Sequence, residues 1–191
     1  DDTRAWKPPA IGQDAAYFCA VNRNKRSIGI DLASDEGRNL LLDLAKNSDV
    51  LVENFRPGVT KRLGIDYAEV AKINPKLIYC SITGYGHTGP SRHLPGYDAV
   101  IQGDSGLMSV TGFPDGPPTR VGVAITDYLA GLYAMNGILL SLRERDRTGQ
   151  GQHVDIALLD SMTSALALPA NIYFHTGETP GREGNQHHSL T

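Results

Sequence analysis

The sequence is poor in cysteine, with only Cys19 and Cys80, which stand far apart in the chain. Two isolated cysteines exclude a disulfide framework and a paired-cysteine zinc motif, and they favour a reducing compartment. We therefore expect a cytoplasmic protein, or a protein of the mitochondrial matrix if the source is eukaryotic.

The sequence also lacks an excess of positive charge and a long apolar run. Its formal net charge is −3, whereas proteins that bind nucleic acid are usually basic, so we expect no nucleic-acid partner. No apolar stretch approaches the roughly 20 uncharged residues of a membrane span. The first residues, DDTRAWKPP, do not have the basic and apolar regions of a signal peptide. The sequence therefore predicts no membrane partner.

Motifs of the common cofactor and metal sites are missing as well. The loop TGYGHTG has neither the dinucleotide-binding nor the P-loop spacing of glycines. None of the six histidines stands in an H-E-x-x-H or a paired Cys/His pattern, so no metal site is predicted. A G-x-S-x-G elbow is absent too, which leaves a hydrolase triad without support. The glycine loop is either a flexible connection or a place where backbone N–H groups approach a ligand.

Alternating strand and helix patterns predict an α/β fold, an open Rossmann-like sheet with flanking helices. We expect strands at 27–32, 49–55, 77–82 and 153–159. Helices are expected after Ser34 and after Asp66 as N-caps, and at 59–63, 127–147 and 161–176. Ligands of such sheets bind beyond the carboxyl ends of the strands, so the loops ENFRPG and TGYGHTGPSRHLPGYD are the first candidates for a site.

A basic loop after the second predicted strand favours a phosphate-bearing ligand. It offers Asn54, the aromatic Phe55, and two cations, Arg56 and Arg62. The planar fork of arginine donates two hydrogen bonds to a phosphate. The alternative for each residue taken singly is a solvated basic edge.

Asp127 is the one charged residue between Arg120 and Arg143. One interpretation is an N-cap or first-turn acid, which stabilises a helix by roughly 1 kcal/mol. The other is a nucleophile, because a carboxylate kept ionised at a helix start can attack an acyl carbon. Local physical chemistry leaves both open.

Seven blocks in the same order resemble the family III CoA-transferases. They are NRNKRSIGIDL, DVLVENFRPGVTKRLGI, NPKLIYCSITGYGHTGP, PGYDAVIQGDSGLMSVTG, AITDYLAGLYA, RTGQGQHVDIALLD and GNQHHSL. The blocks are most similar to the succinate/hydroxymethylglutarate type, which acts on dicarboxylic acids. The resemblance implies that 1–191 is a fragment of the large α/β domain without its two ends. Residues 160–191 would begin the connection toward a small domain.

The resemblance implies a catalytic role for Asp127, in TDYLAG, through aspartyl anhydride and aspartyl-CoA thioester intermediates. Coenzyme A is then a substrate, the partners are an acyl-CoA and a small carboxylic acid, and the full-length protein is an interlocked homodimer. No metal is implied. The implied CoA contacts are Ile30, Asp31, Leu32, Ala33, Asn54, Phe55, Arg56, Arg62, Pro95, Gly96, Tyr97 and Asp98.

Two alternatives accompany this interpretation. One is an α-methylacyl-CoA racemase, which is disfavoured because Tyr97 stands where racemases carry a histidine base, and a phenol with a pKa near 10 is a poor base at neutral pH. The other is an inactive module for CoA binding or dimerisation.

Overall fold

The computed structural model describes residues 2–187 of the chain. These residues belong to two compact units, 1–31 and 32–191. The terminal block GNQHHSL, His188 among it, falls partly outside the described residues. The first unit contains a 3-10 turn at Asp2–Ala5, strands β1 (Ala10–Ile11) and β2 (Asp14–Ala15), and helix α1 (Ala16–Val21). Within it, β1 and β2 pair antiparallel, and Arg4 forms an ion pair of 2.9 Å with Asp14.

The prediction of a strand at 27–32 is wrong. Residues 25–31 carry no regular structure, and the Ile28 side chain is 64% exposed. An alternating apolar pattern permits an extended backbone, but a strand also needs a neighbour with which to exchange hydrogen bonds. Within residues 2–187 no strand pairs with this segment.

The second unit is built on a parallel sheet of the order β3-β4-β5, which confirms the predicted α/β class. Its elements are α2 (Asp35–Lys46), β3 (Val50–Glu53), α3 (Val59–Leu63), α4 (Tyr67–Ile73), β4 (Ile78–Thr83), α5 (Asp98–Asp104), α6 (Leu107–Val110), α7 (Ile125–Thr148), β5 (His153–Ala157), α8 (Leu158–Ala165) and α9 (Ala167–Thr176).

Helices cover both faces of this sheet. Successive side chains of a strand point to opposite faces, and Tyr79 and Ile82 of β4 accordingly belong to different apolar clusters. Tyr79 packs with Ala45 of α2 and Val70 of α4. Ile82 packs with a cluster that contains Ala130 of α7 together with residues of α5 and α8. The flanking helices predicted from the sequence are therefore present.

Local signals set the starts of α2, α3 and α4 well, whereas β3 and β5 end two residues before the predicted strands 49–55 and 153–159 do. Ser34 caps α2, since its hydroxyl oxygen accepts a hydrogen bond of 3.0 Å from the Gly37 N–H. Helices α3 and α4 have the predicted bounds. Asp66 occupies the N-cap position of α4, but its side chain makes no capping bond.

The predicted helix at 161–176 is in fact two helices, α8 and α9, which meet at Leu166. Pro169 explains the break. A proline has no N–H to donate, and its ring collides with the carbonyl four residues earlier, here that of Ala165, the last residue of α8.

Helix α7 has 24 residues, begins two residues before the predicted start, and is followed by the C-cap Gly149 in the left-handed conformation. By length and composition it is long and apolar enough to cross a membrane. A single helix of this kind is weak evidence, because core helices of soluble proteins have the same length and composition. Its buried residues Ala130 and Ala134 lie in the unit's interior, and the absence of a membrane partner stays a prediction.

Candidate active site

The ends of all three parallel strands are tied together at their carboxyl edge. Just after β3, the Asn54 side-chain amide donates a hydrogen bond of 2.6 Å to the Ile82 carbonyl of β4. Just after β5, the Leu159 N–H donates one of 3.0 Å to the Gly84 carbonyl, which follows β4. The ENFRPG loop is thereby held against the end of the central strand. This is the edge at which the sequence predicts a ligand site.

Two glycines bring the PGYD segment to the same edge. A Cβ on Gly84 would lie 2.5 Å from the Gly96 Cα, much closer than the 3.5–4.0 Å at which carbon atoms normally rest. The two backbones touch where any side chain would separate them. Gly96 therefore lies directly over the end of β4, and helix α5 begins two residues later at Asp98.

Asp98 connects this segment to the start of α7. Its Oδ1 accepts hydrogen bonds from the Thr126 N–H, at 2.9 Å, and from the Thr126 hydroxyl, at 2.8 Å. Its Oδ2 accepts one of 2.7 Å from the Gln102 side chain. A series of direct contacts thus runs from the ENFRPG loop through Gly84 and Gly96 to the residue beside Asp127.

Asp127 is a first-turn acid and not the N-cap, since α7 begins at Ile125 after Ala124. Asp127 is exposed, and within residues 2–187 its carboxylate has no hydrogen bond or ion pair. Although the residue is exposed, protein atoms partly desolvate its carboxylate; this desolvation first, and then the charge of Asp98, raise the pKa of Asp127 above its ordinary value. A helix dipole by itself favours a lower pKa. At Asp127, desolvation and the charge of Asp98 act in the opposite direction, and the accessible carboxylate has a pKa above its ordinary value.

The predicted phosphate contacts are free to bind. Arg56 and Arg62 are both exposed, and neither guanidinium forms an ion pair with a described residue. Phe55 is 41% exposed and Tyr97 is 67% exposed, so both aromatic faces are accessible. Pro95, just before Gly96, is exposed as well.

The remaining predicted CoA contacts lie where the first unit ends in the chain and the second begins. Ile30 and Asp31 end the first unit, and Leu32 and Ala33 begin the second. Leu32 and Ala33 precede the cap of α2 and belong to no strand or helix.

A polar cluster that the sequence did not predict lies on the face of the sheet that carries Tyr79. Glu53, Ser81 and Asp155 are register partners across the three strands, and the Ser81 hydroxyl lies 2.9 Å from His153 Nε2. The Asp155 carboxylate lies 3.0 Å from His87 Nδ1. Burial chiefly lowers the pKa of His153, and Asp155 opposes that shift. Pairing across strands made this cluster, and no motif in the sequence indicates it.

Glu53 is the buried acid of that cluster, at 7% exposure. Its Oε2 accepts a hydrogen bond of 2.8 Å from the Phe55 N–H, whereas its Oε1 is buried without a partner among the described residues. The one signal in the sequence is the position of a charged residue at the end of an apolar strand. The bond to Phe55 shapes the turn that begins the ENFRPG loop.

A surface groove of about 600 Å³ lies elsewhere, between α2, α3 and α4. Arg38, Lys61 and Glu69 are among its lining residues, and none of the predicted site residues is. Among the described residues no cluster of acids, histidines and cysteines could hold a metal ion.

The chain is similar to known proteins over nearly all of its length. The family described as CoA-transferase family III matches residues 1–191. An acetyl-CoA:oxalate CoA-transferase of Acetobacter aceti is 46% identical over 98% of this chain and 48% of its own length. A succinate–glutarate CoA-transferase of Agrobacterium fabrum is 46% identical over 100% of this chain and 49% of its own length.

A solved structure of a similar protein also superposes closely on this chain. A CaiB/BaiF family protein from Brucella suis superposes with a TM-score of 0.94 at 49% identity, over 98% of this chain and 50% of that protein. The chain thus spans about half the length of the relatives it matches.

Proposed function

Because this chain belongs to CoA-transferase family III, we propose that the protein moves CoA from an acyl-CoA to a carboxylic acid, with Asp127 as the covalent nucleophile. The observation that carries the proposal is the accessible Asp127 carboxylate at the start of α7, which has no hydrogen bond within residues 2–187. The residue beside it, Thr126, is bonded to Asp98, which follows the segment at the strand ends. Relatives named for oxalate and for succinate and glutarate support a dicarboxylic acid as a substrate.

The proposed reaction is a series of four acyl transfers. The Asp127 carboxylate attacks the thioester carbonyl of the donor, the C–S bond breaks, and a mixed anhydride and CoA thiolate result. The thiolate attacks the aspartyl carbonyl and releases the donor acid as its carboxylate. The acceptor carboxylate attacks the aspartyl thioester and releases the thiolate again. Attack of that thiolate on the acceptor's carbonyl forms the new acyl-CoA and restores Asp127.

This chemistry suits the electrostatics of the site. Each step exchanges one anion for another, so no proton needs to be moved and no general base is required. A carboxylate with a raised pKa is a stronger nucleophile than a free one, as long as the pH is high enough to ionise it. The raised pKa of Asp127 therefore supports its proposed role.

The exposed basic loop is proposed to hold the CoA phosphates. Arg56 and Arg62 form no ion pair with a described residue, and their guanidinium groups suit phosphate. Asn54 and Phe55 precede Arg56 in the loop that follows β3. The backbone at 30–33 and 95–98 is proposed to complete the contacts. A homodimer and a cytoplasmic or mitochondrial location are further parts of the proposal.

Trapping of the intermediates tests the proposal. The full-length protein, incubated with succinyl-CoA and then with hydroxylamine, should carry a hydroxamate at Asp127, detected by mass spectrometry of peptides. Asp127→Ala should lower transfer to oxalate or glutarate by more than about 1,000-fold, since no other group replaces a missing nucleophile.

A first-turn acid of another helix serves as the control. Asp35→Ala, in α2, removes an exposed acid that pairs with Arg38 and should leave transfer unchanged. Turnover by the wild type without any adduct, or turnover by Asp127→Ala at the wild-type rate, would contradict the proposal. Exchange of the substrate's α-hydrogen with deuterium in place of transfer would identify a racemase instead.

A further inference from the structure

We propose that Asp98 is a positioning residue, which holds the first turn of α7 through Thr126 and thereby aims the Asp127 carboxylate. The inference deepens the proposed function and rests on it. It gives Asp98 a task different from the CoA contact that the family resemblance implies.

The start of α7 lacks a cap of its own. The first N–H groups of a helix have no partner within the helix, and the N-cap residue, Ala124, has no side-chain acceptor. The Thr126 N–H is one of these groups. It donates instead to Asp98 Oδ1, a residue of another helix 28 positions earlier in the chain. Asp98 thus replaces the missing cap from α5.

The bonds between Asp98 and Thr126 determine the direction of the helix start as well as its stability. Asp98 Oδ1 accepts from both the N–H and the hydroxyl of Thr126, so two bonds fix the rotation of that residue. Thr126 is 0% exposed, and water therefore does not replace a lost bond. Asp127 follows directly in the chain, and its orientation depends on this anchor.

Gln102 holds the other side of the Asp98 carboxylate. Its side-chain N–H groups donate to Asp98 Oδ2, at 2.7 Å, and to the Val123 carbonyl, at 3.3 Å. Its amide oxygen accepts a bond of 2.8 Å from the Val121 N–H. Gln102 is 0% exposed. A network of hydrogen bonds thus joins α5 to Val121, Val123 and Thr126, at the entry to α7.

The two possible tasks of Asp98 predict different kinetics. Loss of a CoA contact raises KM, because binding weakens in the ground state and the transition state alike. Loss of the anchor lowers kcat, because a misplacement of about 1 Å costs about 100-fold in rate. Both oxygens of Asp98 are already engaged within the chain, which favours the second outcome.

Kinetics of Asp98 variants in the full-length protein test the inference. Asp98→Ala should lower kcat by about 10- to 100-fold and leave KM for succinyl-CoA unchanged. Asp98→Asn should recover part of that loss, because its amide oxygen still accepts both bonds from Thr126. Thr126→Ala removes one of the bonds and should lower kcat less than Asp98→Ala does.

A second acid of α5 is a matched control. Asp104 accepts a hydrogen bond of 2.6 Å from the Tyr85 hydroxyl, and in the part of the chain that the structure describes it makes no bond to α7. Asp104→Ala should leave kcat unchanged, although it too removes a contact between elements.

Each other outcome overturns the inference. A raised KM with an unchanged kcat in Asp98→Ala would make Asp98 a CoA contact. Equal kcat values in Asp98→Ala and Asp104→Ala would show that the network stabilises the fold without orienting Asp127. If Asp98→Ala does not fold, Thr126→Ala replaces it as the test. A wild-type kcat in Thr126→Ala would show that the bonds to Asp98 do not orient Asp127. Absence of any transfer by the wild type would overturn the proposed function, and this inference with it.

Discussion

Replacement of Gly84 by alanine should disturb the candidate active site without touching any reacting group. The new Cβ would lie 2.5 Å from the Gly96 Cα. Carbon atoms rest at roughly 3.5 Å or more, so the two segments would separate by about 1 Å. Neither side can yield by turning a side chain, because both contacting groups are backbone.

The expected cost has two parts. Overpacking of this kind lowers the free energy of unfolding by about 1–3 kcal/mol. The displacement carries Gly96, and with it Asp98 and the anchor of α7, away from the end of β4. A shift of about 1 Å at a reacting group lowers the rate by about 100-fold, so we expect kcat for CoA transfer to fall by that order.

Urea unfolding and transfer kinetics on the full-length protein measure the two parts. Gly103→Ala is the matched control: its Cβ would meet no atom within 4 Å, and it lies inside α5, where alanine is favoured over glycine by about 0.5–1 kcal/mol. That variant should be slightly more stable and fully active. Gly84→Ala with wild-type stability and wild-type kcat would refute the reasoning about the close approach.

Two further predictions concern stability. Asp127→Asn should raise the free energy of unfolding at neutral pH, because burial first and then Asp98 raise the pKa of Asp127 in the folded state, so that the folded state disfavours the ionised form. The gain should disappear as the pH falls below the unfolded-state pKa, near 3.9, where both states are protonated; an equal gain at pH 7 and at pH 3.5 in urea titrations would count against it. Ser34→Ala should destabilise the protein by about 1 kcal/mol, because the Ser34 hydroxyl caps the Gly37 N–H. Asp66→Ala should cost much less, since the Asp66 side chain makes no capping bond, and equal losses in the two variants would show that the caps do not differ.

Local patterns in the sequence predicted much of the fold because the forces that act there are local. The Ser34 cap and the apolar run at 77–82 are short-range signals, and the structure has α2 and β4 at those places. The break at Leu166 was equally local and was missed, since Pro169 stood inside an otherwise regular apolar pattern.

The rule that ligands bind at strand ends predicted the loops of the candidate site, and the resemblance added the role of Asp127. The ordered blocks indicated Asp127 and the ENFRPG and PGYD loops, and the structure brings those loops to one edge of the sheet. The assignment of Asp127 as nucleophile stays a prediction. The anchoring of Thr126 by Asp98 joins residues 28 positions apart, and no spacing within the sequence expresses it.

Residue identity and neighbours within a few positions were enough to indicate the family and the α/β class. Tertiary contacts set which segments became strands, since segment 27–32 has a strand-like pattern and yet belongs to no strand of the described residues. They alone decided the surroundings of the Asp127 carboxylate as well. Pairing partners and desolvation are set by atoms distant in the chain, and around Asp127 desolvation and then the charge of Asp98 raise the pKa of its carboxylate.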